Sequence, residues 1–445
     1  MTGEELVGRI WERDPTVWTG EDEAKWLGWL DEPMRELDLS AVPAGEFRNS
    51  VLMGMGGSSL APEVFRRSFG STTFHVLDTT HPKAIQRLQE EIELGDTFFV
   101  ASSKSGTTLE TRSHLEHFWH LAGKRAEQFA VITDPGSELE ALAKECGFRA
   151  VFHGEPTIGG RYSALSAFGM VAAALIGVDV ERLRARARET AEECHGPDSP
   201  GLELGLRFGN GWREGRDKIC IDDTRGGFGL WAEQLIAEST GKEGKGLVPA
   251  PGESPDGPDR QRGEVLAEDP HDLGSEMYRW EFATAVAGAI LGINPFTQAD
   301  VQAAKDRTNE ILAGGGEPDV EPTGSLEGLL SEAKPGDYVC VQAFVDPTEE
   351  SIRLLDRLLE RIRSETGLVV THGFGPRYLH STGQLHKGGP PIGNFVQVVD
   401  DVGEEIRIPG QKFGFGRLIH AQAAGDFAAL KEKGRPIIRF RLEDL

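Results

Sequence analysis

The chain has 445 residues, 72 of them acidic and 47 basic, for a formal net charge of −25. That balance argues against nucleic acid or an anionic membrane as a partner, and admits a small anionic substrate only where a site gathers local positive potential. The length exceeds what one hydrophobic core organises, so two domains are expected, and 38% apolar residues with 8 Trp can fill them. No run approaches the ~18 apolar residues of a membrane span. The start, "MTGEELVGRIWERDPTVW", is acidic and amphipathic and lacks an apolar leader core. A soluble, cytoplasmic protein is therefore expected. Cys146, Cys194, Cys220 and Cys340 are scattered without a C-x-x-C pair, which fits a reducing compartment.

In chain order, the first half alternates apolar runs with amphipathic stretches. The runs Ser50–Met55, Thr73–Asp78, Thr97–Ser102, Phe129–Asp134 and Phe148–His153 are apolar on both faces, which predicts a parallel sheet covered on both sides. Ser163–Gly177 is expected to be a long buried helix, and "CHGPDSPG" (Cys194–Gly201) a hinge. The second half repeats the style. Strands are expected at Lys218–Asp223, Tyr338–Phe344, Gly367–Gly373, Phe395–Asp401 and Ile438–Leu442. Helices are expected at Gly229–Glu238, Ser275–Leu291 and Gln298–Leu312, and surface loops at Val248–Asp259 and Ala313–Gly324. The domains are expected at 1–197 and 198–445.

Six segments carry candidate chemistry. "GMGGSS" (Gly54–Ser59) sits between a strand and a helical run, where glycines let backbone N–H groups face an anion. It has neither the G-x-G-x-x-G spacing nor a Walker lysine, so a nucleotide is not favoured, and an ordinary strand-to-helix turn explains it as well. "SSKSGTTLET" (Ser102–Thr111) places Ser103, Ser105, Thr107 and Thr108 before a helix starting near Leu109. Helix capping uses one or two hydroxyls; four in six residues suit a phosphate. "IGGRYSALS" puts Arg161 after two glycines, where its fixed charge can meet a developing oxyanion or form a structural ion pair.

"QLIAESTGKEGKG" places Glu238 one helical turn after Gln234, before a Gly/Lys turn. The helix C-terminus disfavours a carboxylate charge, which suits a base that takes a carbon-bound proton; a solvated helix-end Glu is the plainer reading. "INPFTQADVQAAKD" sets Gln298 and Lys305 two turns apart. "LHSTGQLHKGGP" gathers His380, Gln384, His386 and Lys387 in a Gly-rich loop. His372, His380 and His386 have no acidic or Cys ligand at a familiar spacing, so hydroxyl recognition or proton transfer by one His is preferred to a metal.

Together, "GMGGSSLAP", "SKSGTTLET", "GGRYSALSAFG", "EQLIAESTGKEGKG", "INPFTQADVQAAK" and "LHSTGQ" resemble segments of the glucose-6-phosphate isomerase family. "GGRYSALSAFG" looks like one of that family's signatures, and "FTQADVQAAK" like a degraded copy of Q-x-G-V-E-x-x-K. The nearest resemblance is to the isomerase module of bifunctional transaldolase/glucose-6-phosphate isomerases, which end in a segment like "GFGRLIHAQAAGDFAAL".

The resemblance implies two sugar-isomerase (SIS) domains, each a doubly wound α/β unit with a parallel sheet in a three-layer sandwich. It implies a cofactor-free, cytoplasmic homodimer that interconverts glucose 6-phosphate and fructose 6-phosphate in glycolysis and gluconeogenesis. It implies Ser58, Ser103, Ser105 and Thr108 on the phosphate, with Gly57 and Lys104 in the same loops. It implies Glu238 as the C1/C2 base, Arg161 beside the enediolate, Lys305 and His380 around ring opening, and Gln234 and Gln298 lining the site. The chain departs from the common family order, because Lys305 precedes His380, as in the bifunctional module. It begins at residues resembling that module's linker, so isomerase activity alone is expected. Two alternatives are a dual phosphoglucose/phosphomannose isomerase and a non-catalytic sugar-phosphate-binding SIS regulator.

Overall fold

Apolar runs covered on both faces become parallel strands here because each is followed by a helix that returns the chain to the same edge. A computed structural model describes residues 2–222, 227–297, 302–314 and 316–445, with the backbone alone at 302–304. Contacts gather them into two units. The first is Met1–Asp78, Ile92–Thr240 and Leu247–Thr297; the second is Thr79–Glu91, Gly241–Gly246 and Gln298–Leu445. The expected division at residue 197 falls inside the first unit. Cys194–Gly201 leads there into the helix Pro200–Arg213, which packs along the helix Leu273–Leu291.

In the first unit, β1 (Asn49–Gly54), β2 (Phe74–Leu77), β3 (Thr97–Ser102), β4 (Phe129–Thr133) and β5 (Ala150–His153) form a parallel sheet in the order β2-β1-β3-β4-β5. Alternate residues face opposite layers. Leu52, Phe98, Val100 and Ile132 pack with Phe168 and Val171 of the helix Ala167–Ile176. Phe99 stacks on Phe118 of the helix Leu109–Leu121, with ring centroids 5.2 Å apart. This is the expected doubly wound, three-layer arrangement. The order reverses between β1 and β3, and the crevice beyond the carboxyl ends of such a pair is where doubly wound sheets bind ligands. Gly54 pairs with Ser102, so the two loops that follow leave the sheet at one level.

The first unit holds a further sheet of three parallel strands, ordered β7-β6-β8: β6 (Lys218–Ile221), β7 (Val248–Pro251) and β8 (Arg260–Gly263). The expected loop at Val248–Asp259 is corrected here, because its first four residues are β7. Pro249 and Pro251 suggested a loop, but β7 is an edge strand, where a missing N–H costs little. The strand expected at Lys218–Asp223 therefore joins this sheet and not the later strands.

In the second unit, β9 (Tyr338–Phe344), β10 (Val369–Phe374), β11 (Gly393–Val399) and β12 (Ile437–Arg441) form a parallel sheet in the order β10-β9-β11-β12. Val339, Val341 and Ala343 pack on Leu355, Leu359 and Ile362 of the helix Glu349–Thr366. Phe344 and Val399 pack on Ile419 and Ala423 of the helix Phe415–Glu432. The order reverses between β9 and β11, and residues 79–91 fill that position. His81 Nε2 lies 2.8 Å from Asp400 Oδ1, and Arg87 donates to both oxygens of Asp346 at 2.7 and 2.9 Å. The chain's own side chains thus occupy the switch point of this sheet. Among the described residues, no helix is long and apolar enough to cross a membrane.

Candidate active site

The loop after β1 closes at once into a 3-10 turn, Gly56–Ser58, and the helix Leu60–Ser68 follows. A side chain at Gly57 is excluded: its Cβ would lie 2.0 Å from the carbonyl oxygen of Gly160. That close approach brings the turn Gly56–Ser58 against the turn Gly160–Tyr162, which carries Arg161. Ser58 is buried in this contact.

The loop after β3 folds around Ser103. Its Oγ lies 2.9 Å from Thr108 Oγ1 and accepts from the N–H of Gly106 at 3.2 Å. Ser105 Oγ lies 3.0 Å from Thr107 Oγ1. Thr108 is the N-cap of the helix Leu109–Leu121, yet its side chain makes no capping bond. The hydroxyls therefore line the loop and leave the helix's first N–H groups uncapped by that side chain, which suits an anion. Lys104 is placed otherwise: its amine pairs with Asp134 at 2.5 Å and donates to the carbonyl of Glu155 at 3.1 Å.

Glu238 lies two residues before the end of the helix Phe228–Thr240 and is buried, at 3% exposure, where a lone helix-end Glu would be solvated. Arg161 is buried at 1%. Its Nη1 stands 3.7 Å from Glu238 Oε2, and Gln234 Nε2 donates to the same carboxylate oxygen at 3.2 Å. Of the two readings of Arg161, the ion pair is present, with Glu238 as its partner. Burial pulls Arg161 below the usual guanidinium range, while Glu238 and then Tyr162 oppose the shift. Burial likewise raises the Tyr162 phenol. The remaining donors of Arg161 are spent: Nε on Ser239 Oγ at 2.8 Å, and Nη2 on the carbonyls of Pro295 and Thr297 at 2.5 and 3.1 Å. Sequence reasoning missed Ser239 and these two carbonyls. Ser239 adjoins the candidate base, which is the one signal the chain offered.

In the second unit, the expected Gly-rich loop at 379–390 is corrected. It is a 3-10 turn, Arg377–His380, followed by the short helix Gly383–Gly388. Arg435 supports that helix by donating to the carbonyls of His386, Lys387 and Gly389 at 3.1, 3.3 and 2.6 Å. Gln384 Nε2 donates to the carbonyl of Gly241 at 2.9 Å. His380 is half-buried. His386 is fully buried between Cys340 and Gln342; burial, with Lys387 and Arg435 nearby, holds it well below the usual imidazole range, so it stays neutral. Lys305 is exposed on the helix Gln302–Ala313. Gln298 lies outside the described residues.

Residues 30–189 match the family described as Phosphoglucose isomerase, a span that contains the loops after β1 and β3 and Arg161. A protein from Gloeothece citriformis named glucose-6-phosphate isomerase is 30% identical over 54% of this chain and 49% of its own length. One of the same name from Synechococcus sp. is 28% identical over 75% of this chain and 64% of its own. The chain spans about half the length of most of the curated relatives it matches. In fold, it resembles the crystal structure of a glucose-6-phosphate isomerase from Chlamydia trachomatis, at 19% identity and a TM-score of 0.54, covering 79% of this chain and 81% of that one. Residues 30–189 are thus similar to the phosphoglucose isomerase family, and these relatives extend that similarity over 54 to 75% of the chain.

Proposed function

We propose that this chain is a glucose-6-phosphate isomerase, moving a proton between C2 and C1 of hexose 6-phosphate through a cis-enediolate. The observation that carries the reading is the buried pair: a guanidinium held 3.7 Å from a carboxylate. A carboxylate can take the C2 proton, and a fixed cation beside it can stabilise the enediolate oxygen as charge develops. In this reading Glu238 is the base and Arg161 the electrostatic partner. Ser58, Ser103, Ser105 and Thr108, with the backbone at Gly57, hold the phosphate. Lys104 contributes through the loop backbone, since its amine is engaged by Asp134. Gln234 and Gln298 line the sugar, and Lys305 and His380 assist ring opening. A cytoplasmic homodimer completes the proposal.

The direct test is isomerisation of glucose 6-phosphate by the purified chain, with mannose 6-phosphate run alongside. Turnover of both sugars would favour the dual isomerase, and turnover of neither would leave the regulatory SIS reading. The phosphate loop makes its own prediction. Thr108→Ala is expected to raise KM by an amount equivalent to about 0.5–1.5 kcal/mol, or up to twice that for a charged acceptor, and to weaken inhibition by inorganic phosphate. Unchanged KM and unchanged phosphate inhibition would reduce Thr108 to a helix cap.

A further inference from the structure

Three bonds decide which edge of Arg161 is left for chemistry. A guanidinium has five N–H donors in a rigid fork. The Nε donor goes to Ser239 Oγ at 2.8 Å, and Nη2 goes to the carbonyls of Pro295 and Thr297. Among the described residues, Nη1 alone is left without a hydrogen-bond acceptor, and its 3.7 Å separation from Glu238 Oε2 is too long for a hydrogen bond. The base is therefore beside the cation without being tied up by it.

Ser239 behaves unlike an ordinary helical serine. A hydroxyl inside a helix commonly bonds back to the carbonyl four residues earlier, as the next residue does: Thr240 Oγ1 donates to Ile236 at 2.8 Å. Ser239 instead accepts from Arg161 and donates to Tyr162 Oη at 3.4 Å. It is fully buried. Glu238 and Ser239 are consecutive, so the guanidinium wraps the edge of one helix and meets both.

We infer that Ser239 is a positioning residue: by holding Nε it keeps Nη1 aimed at, and apart from, the Glu238 carboxylate. The inference rests on the isomerase reading above. Without the Ser239 oxygen, the buried Nε loses its acceptor and the guanidinium gains by turning onto Glu238 in a closer, two-bond pair. That collapse would add two charged donors to a carboxylate that already accepts from Gln234, and so lower its basicity. It would not alter the phosphate loop, which governs ground-state binding.

Ser239→Ala is accordingly expected to lower kcat roughly 10–100-fold, the scale of a sub-ångström to ångström misplacement, while KM stays within about twofold. Ser239→Thr keeps the γ-oxygen and should restore most of kcat; Ser239→Cys, an isosteric weak acceptor, should fall between. In an Arg161→Lys background, which lacks the Nε donor at that position, Ser239→Ala should cost little more, read as C2-proton exchange in deuterium oxide. Parent-like kcat in Ser239→Ala overturns the inference. So do equal losses in the Ala, Thr and Cys variants, or losses that multiply fully with Arg161→Lys. The two readings fail separately. An active Glu238→Gln enzyme removes the isomerase mechanism, whereas a dead Glu238→Gln beside a normal Ser239→Ala removes only the role of Ser239.

Discussion

Glu238→Gln is expected to lower kcat by roughly 10²–10⁴, the contribution of a well-placed acid–base group, with affinity for hexose 6-phosphate largely kept. The amide has nearly the shape of the carboxylate and can still accept from Gln234, which now donates to Oε2 at 3.2 Å. It has no oxygen able to take a carbon-bound proton. It also removes the counter-charge of Arg161, which is buried, so a marked loss of stability should accompany the loss of rate. Turnover and exchange of the C2 proton with solvent deuterium should fall together. If exchange persists at the parent rate, the proton is taken by another group and Glu238 serves only to balance Arg161. If binding is lost with turnover, the carboxylate is structural.

A second large effect is expected far from the base in sequence. Lys387 Nζ lies 2.5 Å from Asp426 Oδ1, and Tyr378 Oη donates to Asp426 Oδ2 at 2.6 Å. Both charges are buried, at 2% and 0% exposure. The Tyr378 phenol is pushed well above its usual range, chiefly by burial and then by the Asp426 charge, so it remains a donor. Asp426→Asn leaves Lys387 buried without its charge partner. Removing one member of such a pair costs about 3–5 kcal/mol of stability, because the surviving charge stays out of water. The paired replacement Lys387→Met with Asp426→Leu leaves no charge behind and should recover most of that loss. Urea denaturation of the single and double variants measures both. A single variant within about 1 kcal/mol of the parent would mean that the pair is effectively hydrated. Lys387 belongs to the same short helix as Gln384, just beyond His380.

Strand positions were legible where burial on both faces writes a continuous apolar run. Thr97–Ser102 and Tyr338–Phe344 begin and end where their runs do. β7 was not legible, because prolines in a four-residue strand look the same as prolines in a loop until an edge position is known. The segment 379–390 was misread for a related reason. Its glycines suggested a loop, but Arg435, some 50 residues later, gathers the carbonyls that close its short helix. Local sequence records propensity, periodicity and the faces a segment can bury, and it recorded the hydroxyl-rich loop before Leu109 and the glycines around Arg161. It does not record which distant groups will share one desolvated space. Taken alone, Glu238 read as a solvated helix end, and Arg161 as either an oxyanion partner or a structural ion pair. Their meaning came from the packing of Gly57 on Gly160, and from Ser239, Pro295 and Thr297 closing on the guanidinium. Those contacts join segments 78 to 136 residues apart, so only the tertiary structure could decide them.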